Sequence, residues 1–227
     1  MRINGIKRLL LACLTGLTAA ATAQTTGLSG KQIGVIGDSY VRNHRDKIEN
    51  TWHYKFAVKH GMEYFNYGRN GNCISIDLKQ WGEGMYKRYK TMKDSLDYVI
   101  VIAGHNDASR LDSIGTKLFS ERLDTLCRGL RTKYPEAGII FFTPWKCSGF
   151  EGSDREKVTD IMKKVCAGYG FPVFDAARKS NIKADNVQFR TRFFQGKDGK
   201  DTAHLNARGH DLFLPVAEKF LLEHMRK

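Results

Sequence analysis

The sequence predicts an α/β fold built on a parallel sheet, and three observations carry that prediction. Five short apolar or β-rich runs recur along the chain, stretches of helical period separate them, and two of the runs are nearly continuous in Val, Ile and Phe. Unbroken runs of that kind suit strands buried on both faces. Regular alternation of strand and helix places helices on both sides of such a sheet.

The elements follow in chain order. Residues 1–23 read as a secretory leader: Arg2, Lys7 and Arg8 precede a short apolar stretch, and Ala21-Thr22-Ala23 forms an A-x-A cleavage pattern. Leu11-Ala12-Cys13 loosely resembles a lipoprotein box, but most of the apolar segment lies after Cys13, so cleavage near Ala23 is favoured. Residues 24–227 are then expected to form one domain, secreted or periplasmic, with no stable membrane insertion. The first strand is "KQIGVIG" (31–37), followed by a helix near 46–60; "EYFNYG" (63–68) is the second strand, followed by a helix near 79–94. "LDYVIVIAG" (96–104) and "AGIIFFTPW" (137–145) are the buried third and fourth strands, with a helix at 116–134 between them. That helix carries the stripe Phe119, Leu123, Leu126, Cys127 and Leu130, spaced for one buried face. A helix at 154–169 opens on the capping-box pattern Ser153 to Glu156, and Cys166 extends its apolar stripe. "FPVFDA" (171–176) is the fifth strand. A last helix at 207–225 has Asn206 as N-cap, and Pro215 inside it is expected to break or kink it.

The formal net charge is +13 at pH 7, with the basic residues scattered. Scattered charge argues against nucleic acid and is compatible with an acidic substrate. After loss of the leader four cysteines remain, Cys73, Cys127, Cys147 and Cys166, with neither a C-x-x-C nor zinc-ligand spacing. Cys127 and Cys166 read as core residues; disulfides are permitted by export and not required at this size.

In open parallel sheets ligands sit beyond the carboxyl ends of the strands. Polar and ionisable residues collect there: Gly37-Asp38-Ser39 after the first strand, "NYGRNGN" (66–72) after the second, Gly104-His105-Asn106-Asp107 after the third, and Thr143-Pro144-Trp145 after the fourth. "DTAHLNARGH" (201–210) leads into the last helix, with Asp201 and His204 three residues apart. Acyl transfer needs a nucleophile, a base, a group that orients the base, and donors for the developing oxyanion. Ser39, His204 and Asp201 suit the first three roles. The backbone N–H groups of Ser39 and Gly71 and the side-chain amide of Asn106 suit the last.

These residues resemble the SGNH hydrolases, also called the GDSL esterase/lipase family. Gly37-Asp38-Ser39 is similar to its first block, with Tyr40 where Leu usually stands. Gly71 falls on the glycine of the second block, Gly104-x-Asn106-Asp107 on the third, and Asp201-x-x-His204 on the last, in order over roughly 31–225. The resemblance implies a flavodoxin-like three-layer α/β/α sandwich with a five-stranded parallel sheet, and a serine esterase without metal or cofactor. Asp38 and Asp107 read as loop scaffold. His105 is a candidate pocket residue, because some polysaccharide acetylesterases of the family look similar with G-H-N-D. His210, inside the last helix, is not expected to compete with His204 as base.

Fold and triad do not choose a substrate. Export, Trp145 at the active edge as either a surface for a sugar ring or a capped core residue, and the segment 181–201 lean towards carbohydrate esters. Read as a loop, that segment carries Lys183, Arg190, Arg192, Lys197 and Lys200 among three phenylalanines and would suit an acidic glycan. The expectation is a secreted esterase that removes small acyl groups, acetyl above all, from a glycan or similar ester. Two alternatives stay open: a lysophospholipase or thioesterase of the same family, and a glycan-binding protein with the fold but no turnover. Oligomeric state is undetermined by the sequence.

Overall fold

Five strands, β1 (Gln32–Gly37), β2 (Glu63–Gly68), β3 (Tyr98–Ile102), β4 (Gly138–Phe142) and β5 (Val173–Phe174), pair in parallel in the order β2-β1-β3-β4-β5. Each lies within one of the five runs read from the sequence. The computed structural model describes residues 27–146 and 149–225. The leader expected over 1–23, with Cys13 and the Ala23 cleavage site, lies outside the described residues, as does Cys147. Among the described residues the helices are α1 (Ser39–Arg42), α2 (Trp52–Lys59), α3 (Met85–Arg88), α4 (His105–Ala108), α5 (Leu111–Ile114), α6 (Thr116–Lys133), α7 (Asp154–Ala167), α8 (Ala176–Lys179), α9 (Val187–Phe193) and α10 (Ala207–His224).

Period-two alternation splits the strand side chains between two cores. Ile33, Val35, Ile100, Ile102, Ile140 and Phe142 face one layer with Trp52 and Phe56 of α2 and Phe213 of α10. Ile36, Val99, Val101, Ile139 and Phe141 face the other with Phe119, Leu123 and Leu126 of α6 and Met162 of α7. This is the α/β/α sandwich, and each fully buried Leu, Ile or Phe in it contributes roughly 1.5–3 kcal/mol of transfer free energy. Cys127 and Cys166 sit in the second core as free thiols, their sulfurs 3.9 Å apart between α6 and α7.

Four sequence expectations change. The helix expected at 46–60 shortens to α2, preceded by a single 3-10 turn at Ile48–Asn50. The one expected at 79–94 shrinks to α3 and a following 3-10 turn, because Leu78 and Gly82 pair with each other and turn the chain instead. Segment 181–201 is not simply a loop, since it contains α9, capped by Asn186. Pro215 does not break α10, which runs unbroken through it. The proline lies on the exposed side of that helix, where the carbonyl freed by its missing N–H meets water.

The chain steps from β1 out to β2 and then back past β1 to β3. The carboxyl ends of β1 and β3 therefore flank the switch point where such sheets open a crevice. Gly37 ends β1, and a Cβ there would lie 2.2 Å from the Ile102 carbonyl. Its absence lets Asp38 and Ser39 turn directly into α1 across the end of β3.

Candidate active site

Asp38 turns the chain after β1. Its carboxylate, fully buried, accepts the Tyr40 N–H at 2.9 Å and caps α1, with Ser39 as the first residue of that helix. Burial pushes the Asp38 carboxyl up to about 7, against the Tyr40 N–H and the nearby His204. Ser39 Oγ lies 2.8 Å from His204 Nε2, and His204 Nδ1 lies 2.9 Å from Asp201 Oδ2. Asp201 Oδ1 also accepts the N–H groups of Ala203 and His204 at 2.8 and 2.9 Å. Burial works against its charge, yet the His204 ring and these N–H groups outweigh it and hold the carboxyl below its ordinary range. The structure thus brings Ser39, His204 and Asp201 into one hydrogen-bonded line, although Ser39 and His204 are 165 residues apart in sequence.

Gly71, Asn106 and Ser39 also meet. Asn106 Nδ2 is 3.0 Å from the carbonyl of Asn72 and 3.3 Å from Asp38 Oδ2, so the amide is seated between the residue after Gly71 and the residue before Ser39. Among the described residues, the backbone N–H groups of Ser39 and Gly71 donate to no protein acceptor. Gly71 has φ 69°, and a Cβ there would lie 2.4 Å from the indole of Trp81. Glycine is required here by the packed indole as well as by backbone conformation.

Buried groups hold this loop. Arg88 donates to the carbonyls of Tyr67 and Gly37 and to Asn72 Oδ1. Burial pulls its guanidinium down to about 10. Asp107 accepts the N–H groups of Ile74 and Ser75 and the Ser75 hydroxyl at 2.6–3.0 Å, and burial raises its carboxyl above the usual range. On the other side, Gln195 N donates to the His204 carbonyl at 2.7 Å. Its side chain spans to Leu205 O, to Asn43 and to the Arg45 N–H. His44, held at φ 46°, stacks its ring on that of His204 with centroids 4.1 Å apart.

The remaining sequence candidates divide. His105 faces the site from α4: its Nδ1 is 3.0 Å from the Tyr40 hydroxyl and 2.7 Å from an Arg155 nitrogen. Trp145 is not a surface for sugar. It is 3 % exposed, stacked on Tyr40 at 4.1 Å and edged by Phe194 and Phe213, so it props the residue after Ser39 from inside the core. His210 is buried, its ring between Asn43 Oδ1 and the Trp52 N–H. Within 181–201, Phe194 is core, and Arg190 spends its guanidinium on the carbonyls of Ala184 and Gly199. Sequence reasoning missed His44, Gln195, Arg88 and Trp81. Only Asn72, beside Gly71, stood close enough to a motif to be found.

A cleft of about 620 Å³ opens beside the Asp201–His204 pair, lined by His44, Arg45, Asp46, Gln195, Asp198 and Lys200 with Asp201 and His204. Every side chain in that lining is polar or charged.

Residues 35–212 match the model of the GDSL-like lipase/acylhydrolase family. Curated protein sequences give no match. Among solved structures, a protein from Lactobacillus plantarum is 21% identical, with a TM-score of 0.73, covering 86% of this chain and 98% of its own. A protein from Bacteroides uniformis described as a GDSL-like lipase is 20% identical, with a TM-score of 0.60 and coverage of 84% and 94%. A variant of an acetyl-xylooligosaccharide esterase from Geobacillus is 14% identical, with a TM-score of 0.59 and coverage of 85% and 94%. At these identities the likeness is one of fold.

Proposed function

We propose a reaction on one premise: the chain belongs to the GDSL-like lipase/acylhydrolase family, whose members hydrolyse esters. The protein is a serine esterase that removes small acyl groups, acetyl above all, from a polar alcohol such as a carbohydrate. The observation that carries this reading is the 2.8 Å contact of Ser39 Oγ with a histidine whose other nitrogen faces a carboxylate at 2.9 Å.

Asp201 accepts from Nδ1–H, which leaves Nε2 of His204 as the lone-pair nitrogen facing Ser39. Ser39 Oγ attacks the acyl carbon while its proton passes to Nε2. The carbonyl oxygen takes up the charge and is held by the N–H groups of Ser39 and Gly71 and by Asn106 Nδ2, whose longer contact, to Asp38, it displaces. The imidazolium, its charge balanced by Asp201, returns the proton to the departing alkoxide. Water then repeats the sequence on the acyl-enzyme, its proton going to His204 and back to Ser39 as the acid leaves.

The polar lining of the cleft on the Asp201–His204 side supports a hydrophilic alcohol. The acetyl-xylooligosaccharide esterase among the structures of similar fold points the same way. Trp81, half-buried against Gly71, supplies the aromatic face that Trp145 does not. The leader expected over residues 1–23 supports a site of action outside the cytoplasm.

The test is a series of 4-nitrophenyl esters from acetyl to dodecanoyl, with Ser39→Ala beside the unaltered protein. The expected result is fastest turnover of acetate and a loss of at least about 10³-fold in Ser39→Ala. A maximum at long chains would replace the small-acyl reading with a lipase or thioesterase. Activity surviving in Ser39→Ala would overturn the mechanism.

A further inference from the structure

Arg155, in the first turn of α7, is set apart from its neighbours there. Asp154 pairs with Lys157 and Glu156 with Arg178, whereas Arg155 forms no ion pair among the described residues. Its guanidinium bonds instead to a neutral ring, with a nitrogen 2.7 Å from His105 Nδ1. Burial, then the Arg155 charge, holds His105 neutral, down to about 3. A guanidinium only donates, so Nδ1 is the acceptor and the ring proton sits on Nε2. Among the described residues nothing accepts from that Nε2–H. Both residues are half-buried, and none of their nitrogens is a buried polar atom without a partner among the described residues. The pair sits one residue from the nucleophile: the Tyr40 hydroxyl touches the same Nδ1, and the Tyr40 ring lies edge-on to His204 at 6.2 Å.

A fixed, unneutralised guanidinium beside an oriented N–H donor has the chemistry of an anion-binding site, because its forked donors match a carboxylate. We propose that Arg155 and His105 form a subsite for a carboxylate on the substrate, so that the preferred substrate of Ser39 is an acidic ester. Arg155 binds the carboxylate and, through Nδ1, fixes the His105 tautomer whose Nε2–H supplies a second donor. This rests on the esterase reading and adds the charge of the substrate to it.

The test compares matched esters that differ in one charge. A carboxylate on the alcohol half is read with 3-acetoxybenzoate against 3-acetoxybenzamide, and one on the acyl half with mono-4-nitrophenyl adipate against its methyl ester. In at least one pair the anionic member is expected to be favoured in kcat/KM by about tenfold, the size of one charge-assisted hydrogen bond. In Arg155→Gln the ratio is expected to fall to within about twofold of unity. No preference in either pair, or a preference unchanged in Arg155→Gln, overturns the subsite. Should that variant not fold, the unaltered protein still decides, with 3-hydroxybenzoate and monomethyl adipate as inhibitors of 4-nitrophenyl acetate hydrolysis. Inhibition no stronger than that by the corresponding amides overturns the subsite. Turnover of none of these esters, or turnover surviving Ser39→Ala, overturns the esterase reading. Turnover of both members without preference overturns the subsite alone.

Discussion

On one side of Ser39, Gly71 and Asn106 are held in place by buried ionisable groups. Asp107 gathers Ile74 and Ser75, Arg88 gathers Gly37, Tyr67 and Asn72, and Asp38 reaches Asn106. On the other, Asp201 and His204 hang from neutral amides: Gln195 joins Leu205 to Asn43, and Asn206 ties the carbonyls of Arg192 and Phe194 to the start of α10. The difference follows from what each side does in the proposed reaction. Oxyanion donors must not move as charge appears, and carboxyl or guanidinium groups with several bonds each give a stiff frame. A base must change charge and stay in touch with water, and the His204 side chain keeps 17 % of its surface exposed. Buried groups with several partners are hard to remove, whereas an amide bridge at the surface is less so.

The largest test of that contrast is Asp107→Ala. It leaves two buried N–H groups and a hydroxyl without their acceptor, and should lower stability by about 3 kcal/mol or more in urea denaturation. A loss under about 1 kcal/mol would mean that side is not built on its buried carboxyl. Gln195→Ala should be milder in stability, about 1–2 kcal/mol, and should lower kcat roughly tenfold with KM little changed, because it loosens the seat of His204. A fall confined to stability would show that Leu205 and Asn43 position the base without it.

The smallest expected effect is in pH. His53, His105 and His210 are held neutral by burial, with His53 and His105 down to about 3 and His210 well below its ordinary value. As pH falls through the ordinary histidine range near 6.5, the unfolded chain takes up protons that the folded chain refuses, and stability is lost. Asp38 and Asp107 act in the opposite sense, because their raised carboxyls bind protons in the folded state first. Three histidines outnumber the two carboxyls, so the denaturation midpoint is expected to be lower at pH 6 than at pH 7.5. An unchanged or higher denaturation midpoint at pH 6 would show that the histidines are not held neutral.

Strands β3 and β4 were the most legible because burial on two faces demands unbroken apolar residues, and "YVIVI" and "IIFF" leave little other choice. Helices α6 and α7 were legible from their stripes, and the capping pattern at Ser153 marked the start of α7. The helix expected at 79–94 failed because Gly82 and Gly84 break it and Arg88 is drawn inward to the ends of β1 and β2, which no local period reveals.

At the site, the local pieces were in the sequence: a serine just after a strand, a glycine that tolerates no side chain, and Asp201 and His204 within one turn. Short-range chemistry of this kind is set by residue type and spacing. Which distant partners seat those pieces was decided only by the fold. His44 under the His204 ring, Gln195 across to Asn43, and Arg155 against His105 join residues that share no period or motif. Trp145 shows the same limit from the other side, since its place after β4 was readable while the stacking that buries it against Tyr40 was not. A side chain's identity fixes what it can donate or accept; only packing decides which neighbour comes within about 3 Å to receive it.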